Sequence, residues 1–147
     1  MRINEITNKI YFHGSSDHLP VGTILKARDA YESDWGHTDF YRILELYRPA
    51  GQLSHKQSVF MCDNPDDIDS AGGGTDWMFT LIPLGPVQKH DMNWSSEISC
   101  LLSDGYKLDS DEIKDAAQKY WAGSPHYNES LWEYLTPSAK IITVEPF

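Results

Sequence analysis

A chain of 147 residues suits one domain, 1–147, and leaves no room for a second full one, since a chain of this size hides roughly 70% of its unfolded surface. Hydrophobic residues at 40% and aromatic residues at 12% exclude an intrinsically disordered chain. The net charge of -10, from 22 acidic against 12 basic side chains, repels polyanions, so nucleic acid and anionic membrane are disfavoured as partners.

Cys62 and Cys100 show no CxxC spacing and indicate neither a zinc site nor a disulfide framework. Both are expected to be free, buried thiols. The opening MRINEITNKIYF lacks the unbroken apolar core of a secretory signal, and no run approaches the length of a membrane span. A cytoplasmic location is therefore expected.

In chain order, the apolar cluster in KIYFHG predicts a short buried strand that ends near Gly14, with His13 at its end. LPVGTIL predicts a Pro-Val-Gly turn and a second short strand from Thr23 to Leu25. Phe40, Ile43, Leu44 and Tyr47 have the spacing of one helical face, and Arg48-Pro49 ends that helix because Pro disfavours a helical residue before it. SVFMC is the next strand. It stops at DNPDDIDSAGGG, which misses the calcium-loop pattern because Ile68 and Gly74 stand where the turn Gly and the closing Glu belong. That run reads as a solvated loop capping a helical turn, and Gly72-Gly73-Gly74 as a hairpin connection. The polar connections 29–39 and 64–75 are expected to be mobile.

Trp77 to Ile82 reads as a buried strand, broken by the two prolines around Gly85. QKHDMNWSSEISCLLSD is ambiguous between a loop and a short helix from about Ser95. DSDEIKDAAQKYW has a polar cap, acids in its first turn, and Ile113, Ala116, Ala117 and Tyr120 along one face, which predicts a helix ended by Gly123-Ser124-Pro125. LWEYL, a Thr-Pro turn and a strand KIITVEPF close the chain. Short strands with two helices inserted irregularly between them give an α+β class.

GxGxxG, GxxxxGK[ST], GxSxG and HExxH are all missing. His13 and Asp91 with Ser15 or Ser16 would make a small hydrolase, though nothing in their spacing selects that arrangement. The order of short motifs is more informative: Tyr11-Phe12-His13-Gly14-Ser15, Leu19-Pro20-Val21-Gly22, SVFMC, WMFTLIPLGPV followed by His90-Asp91-Met92-Asn93, then Tyr120-Trp121-Ala122-Gly123-Ser124-Pro125 and Trp132-Glu133-Tyr134-Leu135. This series resembles the ADP-ribosyltransferase superfamily, in particular the small rifamycin-inactivating enzymes and related bacterial and phage domains.

The resemblance implies a split β-sheet core and NAD as co-substrate. It implies that His13 hydrogen-bonds the nicotinamide-side ribose, that the Gly14 backbone meets the carboxamide, and that Ser15 stands at the usual Thr position. Phe60 falls where the family has a stacking Tyr and keeps the π-face without the hydroxyl. Asp91 is the nearest match to the acidic position, with Glu97 and Glu133 as rival carboxylates. Arg28 and Arg48 are candidates for the pyrophosphate, since an Arg fork suits that group. Trp94, Tyr120, Trp121 and Trp132 form either an acceptor-pocket wall or core. The activity so implied is mono-ADP-ribosyl transfer to a protein or small-molecule acceptor, as in a toxin, phage effector or antibiotic-modifying enzyme. A non-catalytic binding module on the same fold, recognising a partner protein or an ADP-ribose-like ligand, is the alternative.

Overall fold

The computed structural model describes residues 9–27, 38–68 and 75–147, which form an α+β domain of two antiparallel sheets and three α-helices. The order is β1 (Tyr11–Ser15), β2 (Ile24–Lys26), α1 (Asp39–Leu46), β3 (Val59–Met61), β4 (Trp77–Pro83), β5 (Gln88–Asp91), α2 (Asn93–Ser103), α3 (Asp111–Trp121), β6 (Trp132–Thr136) and β7 (Ser138–Pro146). No described helix is long and apolar enough to cross a membrane.

One sheet has the order β1-β4-β7-β2 and the other β3-β6-β5. Pro137 separates β6 in the second sheet from β7 in the first, and a residue without an N–H suits the step between ladders. Among the described residues the sheets also touch at one bridge, where Phe12 and Cys62 exchange both backbone hydrogen bonds at 2.8 and 3.0 Å.

Alternation along each strand creates two cores. Tyr11, Phe79, Leu81, Ala139 and Ile141 of the four-stranded sheet pack with Val59, Met61 and Tyr134 of the three-stranded one. The opposite face of the three-stranded sheet carries Phe60 and meets the helices, whose core is Tyr41, Ile43, Leu44, Trp94, Ile98, Ile113, Ala116, Ala117, Tyr120 and Trp121. The Trp121 indole N–H donates to the Leu44 carbonyl at 2.8 Å and ties α3 to α1.

Several sequence expectations are corrected here. His13 lies mid-strand, because β1 runs on through Gly14 to Ser15. QKHD, expected as loop or helix, is β5: its inward residues are the polar His90 and Asp91, so it lacks the apolar run that marks a strand. The helix that follows starts at Asn93, earlier than expected, which brings the helices among the described residues to three rather than two. Cys62 is buried as expected, but Cys100 is exposed on α2. In the run after SVFMC, Asn64 caps a short 3-10 turn over Pro65–Asp67. Gly72-Gly73-Gly74, Arg28 and most of the two connections expected to be mobile lie outside the described residues.

Candidate functional site

The point where β1 and β3 part is built from backbone geometry. Alternate residues of a strand direct their N–H and C=O to the same edge, so Gly14 presents its pair where Phe12 does, toward β3. Continued by one step, the ladder would set Gly14 opposite Phe60. It stops instead, and the His13 imidazole takes the Phe60 carbonyl, with Nδ1 donating to Phe60 O at 2.7 Å. Because a carbonyl only accepts, that bond requires a proton on Nδ1. His13 also stacks on its cross-strand neighbour Phe79, with ring centroids 6.1 Å apart.

The same alternation turns the two rings apart. Phe12 pairs with Cys62, so Phe60 leaves the ribbon on the face of Phe12 and Gly14, while His13 leaves on the face of Tyr11. Phe60 accordingly packs with Tyr41 and His55 beside the helical core. The strands of His13 and Phe60 are therefore neighbours, while the two rings, both given roles at the nicotinamide end by the resemblance, lie on opposite faces of the ribbon.

Glu133 shares the Phe60 face, since Leu135 is Phe60's cross-strand partner and Glu133 lies two residues along β6. It is fully buried. Burial pushes its carboxyl above the usual range, against the nearby His55 and the hydroxyls of Tyr120 and Tyr41. Tyr120 donates its hydroxyl to Glu133 Oε2 at 2.9 Å and lies 2.6 Å from His55 Nε2. His55 in turn meets Glu45 Oε1 through both its ring Nδ1, at 3.2 Å, and its backbone N–H, at 2.8 Å. Burial would raise the Glu45 carboxyl, but these bonds and the Ser54 hydroxyl outweigh it and hold it down to about 2. His55 and Glu45 carry no family motif, and only the tertiary structure brings them to Tyr120 and Glu133.

Asp91 faces the other way and is spent on a loop. Its Oδ1 accepts from the backbone N–H of Asn93 and Leu131 at 3.0 Å each, and its Oδ2 from that of His126 at 2.8 Å. Burial opposes its ionisation, but these bonds and one to Ser130 keep the carboxyl below its ordinary value. The place of Asp91 as the leading acid is corrected on this geometry: it is the anchor of the segment between α3 and β6. Glu97 of α2 holds that segment too, accepting from His126 Nε2 at 3.0 Å and from the Tyr127 hydroxyl at 2.5 Å.

Ser15 Oγ forms a local turn, accepting from the Asp17 N–H at 3.0 Å and donating to the Asp17 carbonyl at 2.9 Å, while Ser16 is exposed. With Asp91 committed elsewhere, no Ser-His-Asp set is assembled. Arg48 donates to the Gln52 carbonyl and pairs with Glu45, which corrects it from a pyrophosphate ligand to a loop clamp. Trp94, Tyr120 and Trp121 are core, and half-buried Trp132 lies under the Lys89 ammonium at 3.9 Å. Among the described residues, no group of three His, Cys, Asp or Glu side chains is placed to hold a metal ion. No protein-family model matches the chain, and neither does any curated protein.

Proposed function

We propose that the chain binds NAD where β1 and β3 part and transfers its ADP-ribose to a protein or small-molecule acceptor, as a mono-ADP-ribosyltransferase. The observation that carries this reading is the interrupted ladder: Gly14 aims an N–H and a C=O at an edge that β3 no longer pairs, while His13 satisfies the Phe60 carbonyl in its stead. A carboxamide offers one acceptor and two donors, the complement of a strand residue's backbone pair. Gly at that position allows close approach without a Cβ. Ser15 follows at the mouth of the strand, and Arg28 remains the pyrophosphate candidate by its place in the sequence.

In this reading the His13 imidazole hydrogen-bonds the nicotinamide-side ribose, while the Phe60 ring, turned toward Tyr41 and His55, backs the site from the other face of the ribbon. Of the carboxyl groups, Glu133 shares the Phe60 face and takes the acidic role. The bond from ribose C1′ to the nicotinamide nitrogen breaks, and nicotinamide leaves as a neutral molecule. Negative charge at Glu133 steadies the ribosyl cation until the acceptor nucleophile attacks C1′ and its proton passes to the Glu133 carboxylate.

The burial of Glu133 favours a second reading, a non-catalytic module that recognises an ADP-ribose-like ligand or a partner protein. Nicotinamide release from NAD, followed beside the Gly14 amide signal, separates the two. Transfer predicts release that Glu133→Gln lowers by about 10²-fold or more with NAD affinity nearly unchanged. A Gly14 shift without nicotinamide favours the module, and neither response overturns both transfer and recognition of an ADP-ribose-like ligand, leaving only the partner protein.

A further inference from the structure

Among the described residues, His90 Nε2 and Glu133 Oε1 are the two buried side-chain atoms without a hydrogen-bond partner. They belong together. His90 on β5 and Glu133 on β6 stand directly opposite each other in the β5–β6 ladder, so their side chains leave the same face, and the residues are 1% and 0% exposed. Residues opposed in this way have Cβ atoms roughly 5 Å apart, a span that one small molecule bridges. Tyr120 on α3 reaches both of them: its ring stacks on His90 with centroids 4.4 Å apart, and its hydroxyl lies 2.9 Å from Glu133 Oε2.

The chemistry of the two atoms narrows what fits between them. His90 Nδ1 lies 2.8 Å from the Tyr120 carbonyl, which only accepts, so Nδ1 carries a proton. Burial pushes this imidazole down to about 4, which leaves Nε2 a bare lone pair near neutral pH. Glu133 Oε1 accepts when the carboxyl is ionised. A proton on Oε1 would suit Nε2, but the two atoms do not meet as a hydrogen bond. The pair therefore calls for an occupant with two O–H bonds that also accepts. A metal ion is the poorer fit, because among the described residues no third His, Cys, Asp or Glu side chain joins these two.

We infer that one buried water molecule is held between His90 Nε2 and Glu133 Oε1 as a fixed part of the fold. With Glu133 ionised, the water donates one hydrogen to each atom. With a proton on Oε1, the carboxyl donates to the water and the water donates to Nε2. Both arrangements use the same heavy-atom positions, so the site does not depend on which form Glu133 takes. Polar surroundings keep it wet, and the rings around it keep it closed: Trp121 stands at a steep angle to His90 at 5.1 Å, and from α1 the Tyr41 hydroxyl faces Glu133. Held through Oε2 by Tyr120 and through Oε1 by the water, the Glu133 carboxyl has its plane fixed from both sides.

The site is independent of NAD and is tested on the full chain without ligand. A crystal structure at high resolution is expected to show one ordered water about 2.7–3.2 Å from both His90 Nε2 and Glu133 Oε1. Direct contact between the two atoms, separate protein partners for each, a metal ion between them, or no density there would each overturn the inference. In solution, oxygen-17 magnetic relaxation dispersion counts water molecules held for long times inside the protein. His90→Phe is expected to hold about one fewer than the wild type, and equal numbers overturn the site. If His90→Phe does not fold, the wild-type crystal structure decides the matter alone.

Discussion

His13 has a structural task whatever else it does, because its Nδ1–H is the donor that the interrupted ladder leaves to the Phe60 carbonyl. His13→Ala leaves that carbonyl without this donor at a half-buried position, at a cost of about 1–3 kcal/mol. Thermal melting of the two proteins is the check. A fall of several degrees is expected, and an unchanged melting point would show that the bond contributes nothing. If NAD also binds here, the variant loses affinity together with stability, so the two effects need separate measurement. Phe60 could be read from the sequence as an aromatic at the stacking position. That its ring turns toward Tyr41 and His55 could not, since the direction follows from the Phe12–Cys62 register.

At the scale of elements, the segment from Gly123 to Leu131 crosses from α3 to β6 without regular structure, and Asp91 holds it by the backbone N–H groups of His126 and Leu131 while also accepting from that of Asn93 at the start of α2. Gly123 starts it with φ at +71°, a conformation that a side chain would strain. Asp91→Asn sets an amide NH₂ against at least one of those donors, and a loss of about 1–3 kcal/mol follows. Hydrogen exchange localises the effect: the amides of His126 and Leu131 should speed up while those of the β4–β7 ladder hold. Equal exchange in both proteins would remove the anchoring role. Helix α3 was legible in advance because its signals are local. Ser110 Oγ accepts from the Ile113 N–H, Asp111 and Glu112 fill the first turn, and the inward face repeats at helical spacing. Strand β5 was not, because His90 and Asp91 are inward polar residues that hydrogen-bond to α3 and to the loop beyond it.

Across the whole molecule, the buried polar groups predict a defined response to pH. His90 is pushed from 6.5 to about 4 by burial, so the unfolded chain takes up a proton that the folded chain refuses. Its share of stability is complete above pH 6.5 and is lost as pH falls toward 4, at most about 3 kcal/mol. Glu45 has its ordinary value of 4.5 lowered to about 2, so its share is complete above 4.5 and lost between there and 2. Glu133 acts in the opposite sense, its raised value giving a share that is present below 4.5 and lost as pH climbs through the folded value. Urea midpoints measured across this range in the wild type and in His90→Asn isolate the first effect. The wild type should lose stability from 6.5 downward more steeply than the variant, and parallel curves would show that His90 titrates alike in both states.

The sequence by itself determined the α+β class, the strands around His13, Phe60 and Trp77, and the helices on either side of them, because periodicity, caps and Gly or Pro breaks act over a few residues. It also marked His13, Gly14, Phe60, Asp91 and Glu133 as residues to examine. Which of them meet was decided by tertiary structure. The Phe12–Cys62 bridge between the sheets sets the edge that Gly14 faces, and the β3–β6 register puts Glu133 on the side of Phe60. The chain's path around β6 leaves Asp91 to the loop, and the packing of α1 and α3 joins Glu45, His55 and Tyr120 to Glu133 across separations of up to 65 residues. Contacts at such separations depend on sheet order and register, which arise from the whole chain packing at once and leave no spacing in the sequence to read.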